Sequence, residues 1–316
     1  MTLSNEIFNY AKLSRAKDRR KFPTFKVISF VILLVFVIVW LSPFVILVFG
    51  SLRSGADTVF YPKELIPPHT GYSNEMYIFI LTGKIPASLN SPGFVASKYF
   101  HLWRWFLNSC ISAIGGTLLY LLVASMAAYA FTFIPWKFRN LIFGILVASL
   151  VIPGAATSIG NQNTVFTTGL NKSLLALIIP GLGGVYGMYL IKTFFSSIPK
   201  ELIESSKMDG CGDFKVFTRI VLPLGKTVIY VQGLFGFMGG WNDLIWPQML
   251  FGGTKNVMNW TLQVGIAYVI NNSKAAAGLL GTGLAAGVLS FIPVFIVYLI
   301  AQNKIIEGMA SAGIKG

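Results

Sequence analysis

Between Val27 and Phe49 the chain has no charged residue and an interior rich in Val, Ile, Leu and Phe. A helix needs about 20 apolar residues to cross the hydrocarbon core of a bilayer, and this run supplies them. The basic segment 1–26 before it, with Lys12, Arg15, Lys17, Arg19, Arg20, Lys21 and Lys26, is much longer than the positive region of a signal peptide. Pro43, Phe44 and Arg53 stand where a small-residue cleavage site belongs, so the helix is expected to be retained.

Composition extends this constraint to the whole chain. Hydrophobic residues make up 54% and charged residues 11% of the 316 positions, with a mean hydropathy of +0.69. A soluble domain carries about 25% charged residues, so an ordinary water-facing surface is excluded. Five more apolar stretches qualify or nearly qualify as spans: Trp105–Phe131, Phe138–Thr157, Leu174–Phe195, Thr227–Phe251 and Leu279–Ala301. The expected fold is an all-α polytopic membrane protein with six transmembrane helices. Residues 27–49 form the first, 50–104 an extracytoplasmic loop, 105–301 a five-helix core and 302–316 a cytoplasmic tail whose bland reading is a disordered end.

The net charge of +14 marks topology rather than nucleic acid. Cytoplasmic loops of membrane proteins collect Lys and Arg. With six spans and the N-terminus inside, Lys137, Arg139, Lys200, Lys207, Lys215, Arg219 and Lys226 fall on the cytoplasmic side. Lys172, Lys255 and Lys274 fall outside, as does the 50–104 loop, where Asp57, Glu64 and Glu75 offset the cations. Both termini are then cytoplasmic, and the basic N-terminus is suited to anionic lipid.

Glycine pairs at small-xxx-small spacing, Gly183/Gly187, Gly236/Gly240 and Gly283/Gly287, allow close helix contact, either within the chain or with a second membrane subunit. No strong internal repeat is visible, which disfavours an inverted-repeat secondary transporter.

The most informative connection lies between the fourth and fifth spans, at 198–226. A helix is expected to start near Pro199, with Glu201 and Glu204 early in it, where carboxylates suit the helix dipole. Gly210 and Gly212 supply a turn. Phe214, Phe217, Ile220 and Val221 then repeat as one apolar face, and Pro223 marks a break before the next span. Such a helix–turn–helix beside the membrane suits a protein partner.

At these residues the chain resembles the permease subunits of bacterial ABC importers, whose loop reads Glu-Ala-Ala, a Gly four residues on, and a later Ile-x-Leu-Pro. Glu204-Ser205-Ser206, Gly210 and Ile220-Val221-Leu222-Pro223 take those places. Asp209-Gly210 and Pro199-Lys200-Glu201-Leu202 fit the carbohydrate-uptake branch, similar to the maltose-type permeases. So do Asn108-Ser109, Ala127-Ala128-Tyr129-Ala130-Phe131, Gly240-Trp241-Asn242-Asp243, Trp246-Pro247, Thr261-Leu262-Gln263-Val264-Gly265 and the ending Ala312-Gly313-Ile314-Lys315-Gly316. Departures are Ser205 and Ser206 for the two alanines, Cys211 for Ala, Lys226 where Pro is common, and a longer 51–104 loop. The resemblance implies a type I ABC importer permease fold. It also implies pairing with a second homologous permease, two ATPase subunits that hold ATP and Mg, and an extracytoplasmic solute-binding protein that delivers sugar. It further implies that Glu204, Ser205, Ser206, Asp209, Gly210, Ile220, Leu222 and Pro223 couple the membrane helices to ATP hydrolysis. The blander role for Glu204 is capping or solubilising its helix. The tail 302–316 would reach between the ATPases.

No cofactor, metal or catalytic site is expected on this chain. Gly225-Lys226-Thr227 lacks the Gly that a phosphate loop needs at 220, where Ile220 stands. His69 and His101 lack metal-ligand spacing, and Cys110 and Cys211 fall in unlike environments. The sequons at Asn171 and Asn259 carry no weight in a bacterial inner-membrane protein. Asp243 is the one acid deep inside an apolar span, which makes it a functional candidate. Asn242 and Asp243 either line a translocation path or hold a helix break near Trp246-Pro247. Tyr230 and Gln232, earlier in the same span, are further candidates to bond sugar hydroxyls. A non-sugar solute such as glycerol phosphate is the alternative cargo.

Overall fold

The computed structural model describes residues 23–54, 57, 71–82, 101–273 and 279–313. Helix α1, Pro23–Ser51, presents apolar side chains on every side, from Phe25 and Trp40 through Val48. A helix apolar all round needs hydrocarbon or an apolar protein surface against it. It meets the rest of the chain mainly near its end. There Phe44 lies 5.0 Å from Phe291, and Leu47 packs where a Cβ at Gly287 would sit.

Described residues of the loop that follows pair with one another. Arg53 bridges to Tyr72, and Ser73 N–H donates to Leu52 O at 2.6 Å. Helix α2, Glu75–Thr82, buries Met76, Phe79 and Ile80 in the main apolar core. His69 lies outside the described residues, whereas His101 immediately precedes α3.

Helix α3, Leu102–Phe133, is the central member, packed by α7, α10 and α12. Three helices among the described residues are long and apolar enough to cross a membrane: α1, α3 and α13, Leu279–Gly313. Three bent helix pairs also pass by length and composition, so the candidate spans number up to six if each pair is one crossing.

The breaks have local causes. Phe138–Thr157 is not one continuous helix: α4, Arg139–Val151, meets α5, Gly154–Thr167, at 104°. Pro153 forces this, because a residue before proline is driven out of the helical region, and Ile152 is extended at φ −74°, ψ 120°. Helix α6, Leu175–Gly183, carries Pro180 and bends by 47° into α7, Val185–Phe195.

Helices α8, Lys200–Met208, and α9, Asp213–Leu224, form the connection before α10, Lys226–Asn242. The break expected at Pro223 lies instead at Gly225, where α9 and α10 meet at 79°. Pro223 removes one backbone donor, and the preceding turn Phe217–Val221 is wound as a π-helix. Gly225 is the site at which the chain turns beneath Phe195, whose ring a Cβ there would strike.

The stretch Thr227–Phe251 is likewise divided, by Asp243, into α10 and α11, Ile245–Phe251. Helix α12, Leu262–Ser273, completes the core against α13. The backbone of α13 stays helical through Gly313, which corrects the disordered reading of the tail as far as that residue; residues 314–316 lie outside the described set.

Glycine spacing works within the chain at most of the pairs. Gly236 and Gly240 admit Thr117 and Ala113 of α3, Gly283 admits Ile270, and Gly287 admits Leu47. Gly183 has open space beside it.

Candidate functional site

Two features stand out: the α8–α9 element and a cavity among α3, α5, α6, α7, α10 and α11. In the first, α8 begins after extended Pro199, with Glu201 in its first turn and Lys207 in its last. It ends at Gly210, whose φ of +78° only glycine adopts without strain. Gly210 N–H donates to Lys207 O, and Cys211 N–H donates to Ser206 O, both at 3.0 Å. These two bonds close the last turn in the Schellman pattern. A Cβ at Gly210 would meet nothing within 4 Å, so dihedral angle, not crowding within this chain, demands glycine.

The buried side of the element is Ile203, Ser206, Val216, Phe217 and Val221. They pack on Ala128 and Tyr129 of α3 and on Ile191 and Phe195 of α7. Phe214 does not share the apolar face expected for it: it is 74% exposed. The buried set shifts to Val216, Phe217, Ile220 and Val221, because the π-turn changes the angular spacing beyond Val216. Ser206 turns its hydroxyl back to Ile203 O at 2.8 Å, so it is satisfied in a close contact that an alanine would also fit.

The outward side is Leu202, Glu204, Ser205, Met208, Asp209 and Phe214. Met208 is 84% exposed, and Glu204 makes no hydrogen bond or ion pair among the described residues. Leu222 is half-buried and Pro223 exposed.

The element is also held by polar contacts that sequence reasoning missed. Tyr129 Oη donates to Asp213 Oδ1 at 3.0 Å, and Lys207 Nζ lies 2.9 Å from the same oxygen. Lys207, then Tyr129, holds the Asp213 carboxyl below its ordinary value of 3.8. The signal was present in the Ala127–Phe131 stretch, where Tyr129 is the one hydroxyl in a run of small and apolar residues. Its partner was not visible, being 84 positions away.

The cavity has a volume of about 640 Å³. Ser112, Thr117 and Tyr120 face it from α3, Thr157, Ser158 and Asn161 from α5, and Tyr186 from α7. Gln232, Phe235, Asp243 and Trp246 complete the polar and aromatic lining. Among the described residues no Lys or Arg contributes, and Asp243 is the one carboxylate.

The four candidates from the fifth span separate here. Gln232 is buried and accepts from Tyr120 Oη at 3.3 Å, in space left by Gly187, where a Cβ would collide with both groups. Asp243 lines the cavity and also shapes the break, accepting from Trp246 N–H at 3.3 Å. The two roles posed for it are therefore compatible. Tyr230, 55% exposed, and Asn242, also exposed, lie outside the lining.

The other end of α3 explains more of the recognisable stretches. Asn108 Nδ2 donates to Met258 O and Trp260 O, both at 2.8 Å. Ser109 Oγ accepts from Leu262 N–H at 2.8 Å, and Trp105 Nε1 donates to Val257 O at 2.9 Å. Gly265 lies against the Trp105 ring, leaving no room for a Cβ. Trp241 Nε1 donates to Ser290 O at 3.0 Å. Asn108-Ser109, Gly240–Asp243 and Thr261–Gly265 are therefore anchors between helices.

Similarity to known proteins fits this arrangement. Over 300 residues the chain is 25% identical to the arabinooligosaccharides transport system permease protein AraQ of Bacillus subtilis (strain 168), covering 94% of this chain and 99% of that one. It is 28% identical over 233 residues to a probable ABC transporter permease of Mycoplasma genitalium, covering 71% and 73%. The sn-glycerol-3-phosphate transport system permease UgpE of Yersinia pestis is 29% identical over 206 residues, covering 65% of this chain and 72% of the relative. In structure, the chain shares its fold with a bacterial ABC transporter involved in the import of the acidic polysaccharide alginate. The TM-score is 0.71 at 22% identity, covering 90% of this chain and 97% of that one. The model of the inner membrane component of binding-protein-dependent transport systems matches residues 13–309. The chain belongs to that family of membrane-embedded transport components.

Proposed function

We propose that this chain is one of two permease subunits of an ATP-driven importer for a sugar or oligosaccharide, with ATP and Mg held by two separate ATPase subunits. The observation that carries the reading is the α8–α9 element. Its inner face is seated in an apolar core, while Glu204, Asp209, Met208 and Phe214 are left exposed beside the membrane helices. Large exposed apolar groups next to an unpaired carboxylate suit a protein partner rather than water. A second, homologous permease would cover helices that are apolar on their outer faces. A solute-binding protein on the far side would deliver the cargo.

The cations of the 1–26 and 198–226 segments support an orientation with both termini in the cytoplasm of a bacterial cell. Glu204, Ser205, Asp209 and Gly210 then face the ATPase. Ser206, Ile220, Leu222 and Pro223 shape the element that carries them, and Gln232 and Asp243 lie along the solute path.

Hydroxyl, amide and aromatic groups, with no Lys or Arg among the described lining residues, favour an uncharged polyhydroxylated solute. Recognition of phosphate or carboxylate calls for Arg or Lys donors, which supports sugar over glycerol phosphate. The first test is purification of the tagged, detergent-solubilised protein, with identification of its companions and an ATPase assay. Recovery of a second permease and an ATPase is expected, followed in vesicles by uptake of a neutral arabino-oligosaccharide and not of glycerol 3-phosphate. Isolation of a lone active transporter would overturn the reading. Uptake of glycerol 3-phosphate alone would overturn the sugar assignment.

A further inference from the structure

Helix α3 takes part in both features. Its middle turns present Ser112, Thr117 and Tyr120 to the cavity, and Tyr129 stands nine residues beyond Tyr120 on the same helix. At 1.5 Å per residue the two tyrosines are separated by roughly 13 Å along the axis. Tyr129 is 5% exposed, with its ring against Phe133 and Phe217, and its hydroxyl emerges at Asp213 Oδ1. That oxygen also accepts Lys207 Nζ. Asp213 belongs to the first turn of α9 and Lys207 to the last turn of α8. One carboxylate oxygen therefore joins both arms of the outward-facing element to the helix that lines the cavity.

The remaining contact between the element and α3 is apolar, made by Ile203, Val216, Phe217 and Val221. Apolar contact is non-directional and tolerates sliding and rotation, whereas a hydrogen bond has a preferred distance and angle. A hydroxyl–carboxylate bond is also among the stronger kinds.

We infer that Tyr129 and Asp213 are positioning residues that lock the α8–α9 element to α3, so that displacement of the element moves the cavity wall instead of slipping over it. This rests on the reading of 198–226 as the ATPase-docking segment. Neither residue touches solute or nucleotide. Lys207 contributes by holding the Asp213 carboxylate and by tying α8 to α9.

The test uses the complete importer with its partner subunits in lipid vesicles, measuring solute taken up per ATP hydrolysed. Tyr129→Phe keeps the ring and its packing, so the complex is expected to assemble and hydrolyse ATP. Its transport per ATP should fall about tenfold, the scale of losing a charge-assisted hydrogen bond. Asp213→Ala should do the same, and the double variant should be little worse than either single one, since all three break one link. Asp213→Glu, which keeps an acceptor, should retain more coupling than Asp213→Ala. A purely structural role would lower yield and thermal stability without changing the transport-to-ATP ratio. An unchanged ratio in Tyr129→Phe, in a complex where Gly210→Asp abolishes uptake, would overturn the lock and leave the docking reading standing. An unchanged ratio in both variants would overturn the docking reading, and the lock with it.

Discussion

At its first turns α3 is gripped through backbone. Trp105, Asn108 and Ser109 make four hydrogen bonds to main-chain groups between Val257 and Leu262, and the Trp105 and Trp260 rings meet at a tilt of 38° with centroids 5.5 Å apart. At its last turns the α8–α9 element is held, among the described residues, by apolar contact and the hydroxyl of Tyr129, the carboxylate it meets being half exposed. Several short backbone bonds around buried indoles allow one arrangement. An apolar seat with a single polar link leaves that one bond to fix the register. One end of the helix is thus held by several directional bonds and the other, among the described residues, by one.

The largest effect is expected at Trp105. Trp105→Ala should cost about 3–5 kcal/mol, the usual toll for an emptied aromatic site, and should sharply lower the melting temperature of the detergent-solubilised protein. A loss as small as that of Tyr129→Phe would show that the two ends are not held differently.

Asn108→Ala comes next. It leaves the carbonyls of Met258 and Trp260 without this donor, at a cost of about 1–3 kcal/mol. The same thermal measurement checks it, and a neutral result would mean that water replaces the amide.

Gly210→Asp sharpens the other side of the comparison. A non-glycine residue in the left-handed region costs about 1–2 kcal/mol, so the variant should reach the membrane with modest loss of stability. It should nevertheless abolish uptake while ATP hydrolysis continues uncoupled. Normal transport by this variant would remove the role assigned to Gly210.

Asp243→Asn should change stability less still, because an amide oxygen can accept from Trp246 N–H as the carboxylate does. Uptake should change even so, through loss of the one carboxylate among the described lining residues. If neither uptake nor assembly responds, Asp243 has no part in the path.

The smallest effect is that of pH on the Tyr129–Asp213 link. The Asp213 carboxyl is held below its ordinary value of 3.8, by Lys207 first and Tyr129 second. A depressed carboxyl contributes stability above the unfolded-state value and loses it as pH falls through the lower folded-state value. Coupling should therefore not change through this group between about pH 8 and about pH 5. A loss of transport per ATP within that interval, reproduced by Asp213→Ala and absent from the wild type at higher pH, would show that the carboxylate is not paired as drawn.

What the sequence determined by itself follows from short-range physics. Apolar length alone marks α1, α3 and α13, because a bilayer sets the run that a helix needs. The loop chemistry of α8 was likewise legible: Pro before it, acid in its first turn and Gly at its end are local preferences that do not depend on the rest of the fold. The side of α9 that is buried was not legible, since a π-turn shifts the helical phase and moved Phe214 outward. Pro153 was in plain view, yet only the folded chain showed that it turns an apparently continuous span by 104°. The fate of the fifth-span candidates was also undecided: Gln232 and Tyr230 differ by two residues and point to opposite environments because α3 packs on one side of α10 only. Asn108 with the 258–260 carbonyls, and Tyr129 with Asp213, are joined across 150 and 84 positions. Pairings at that distance leave no periodicity in a sequence, because helix packing, not chain connectivity, brings the partners within hydrogen-bond reach.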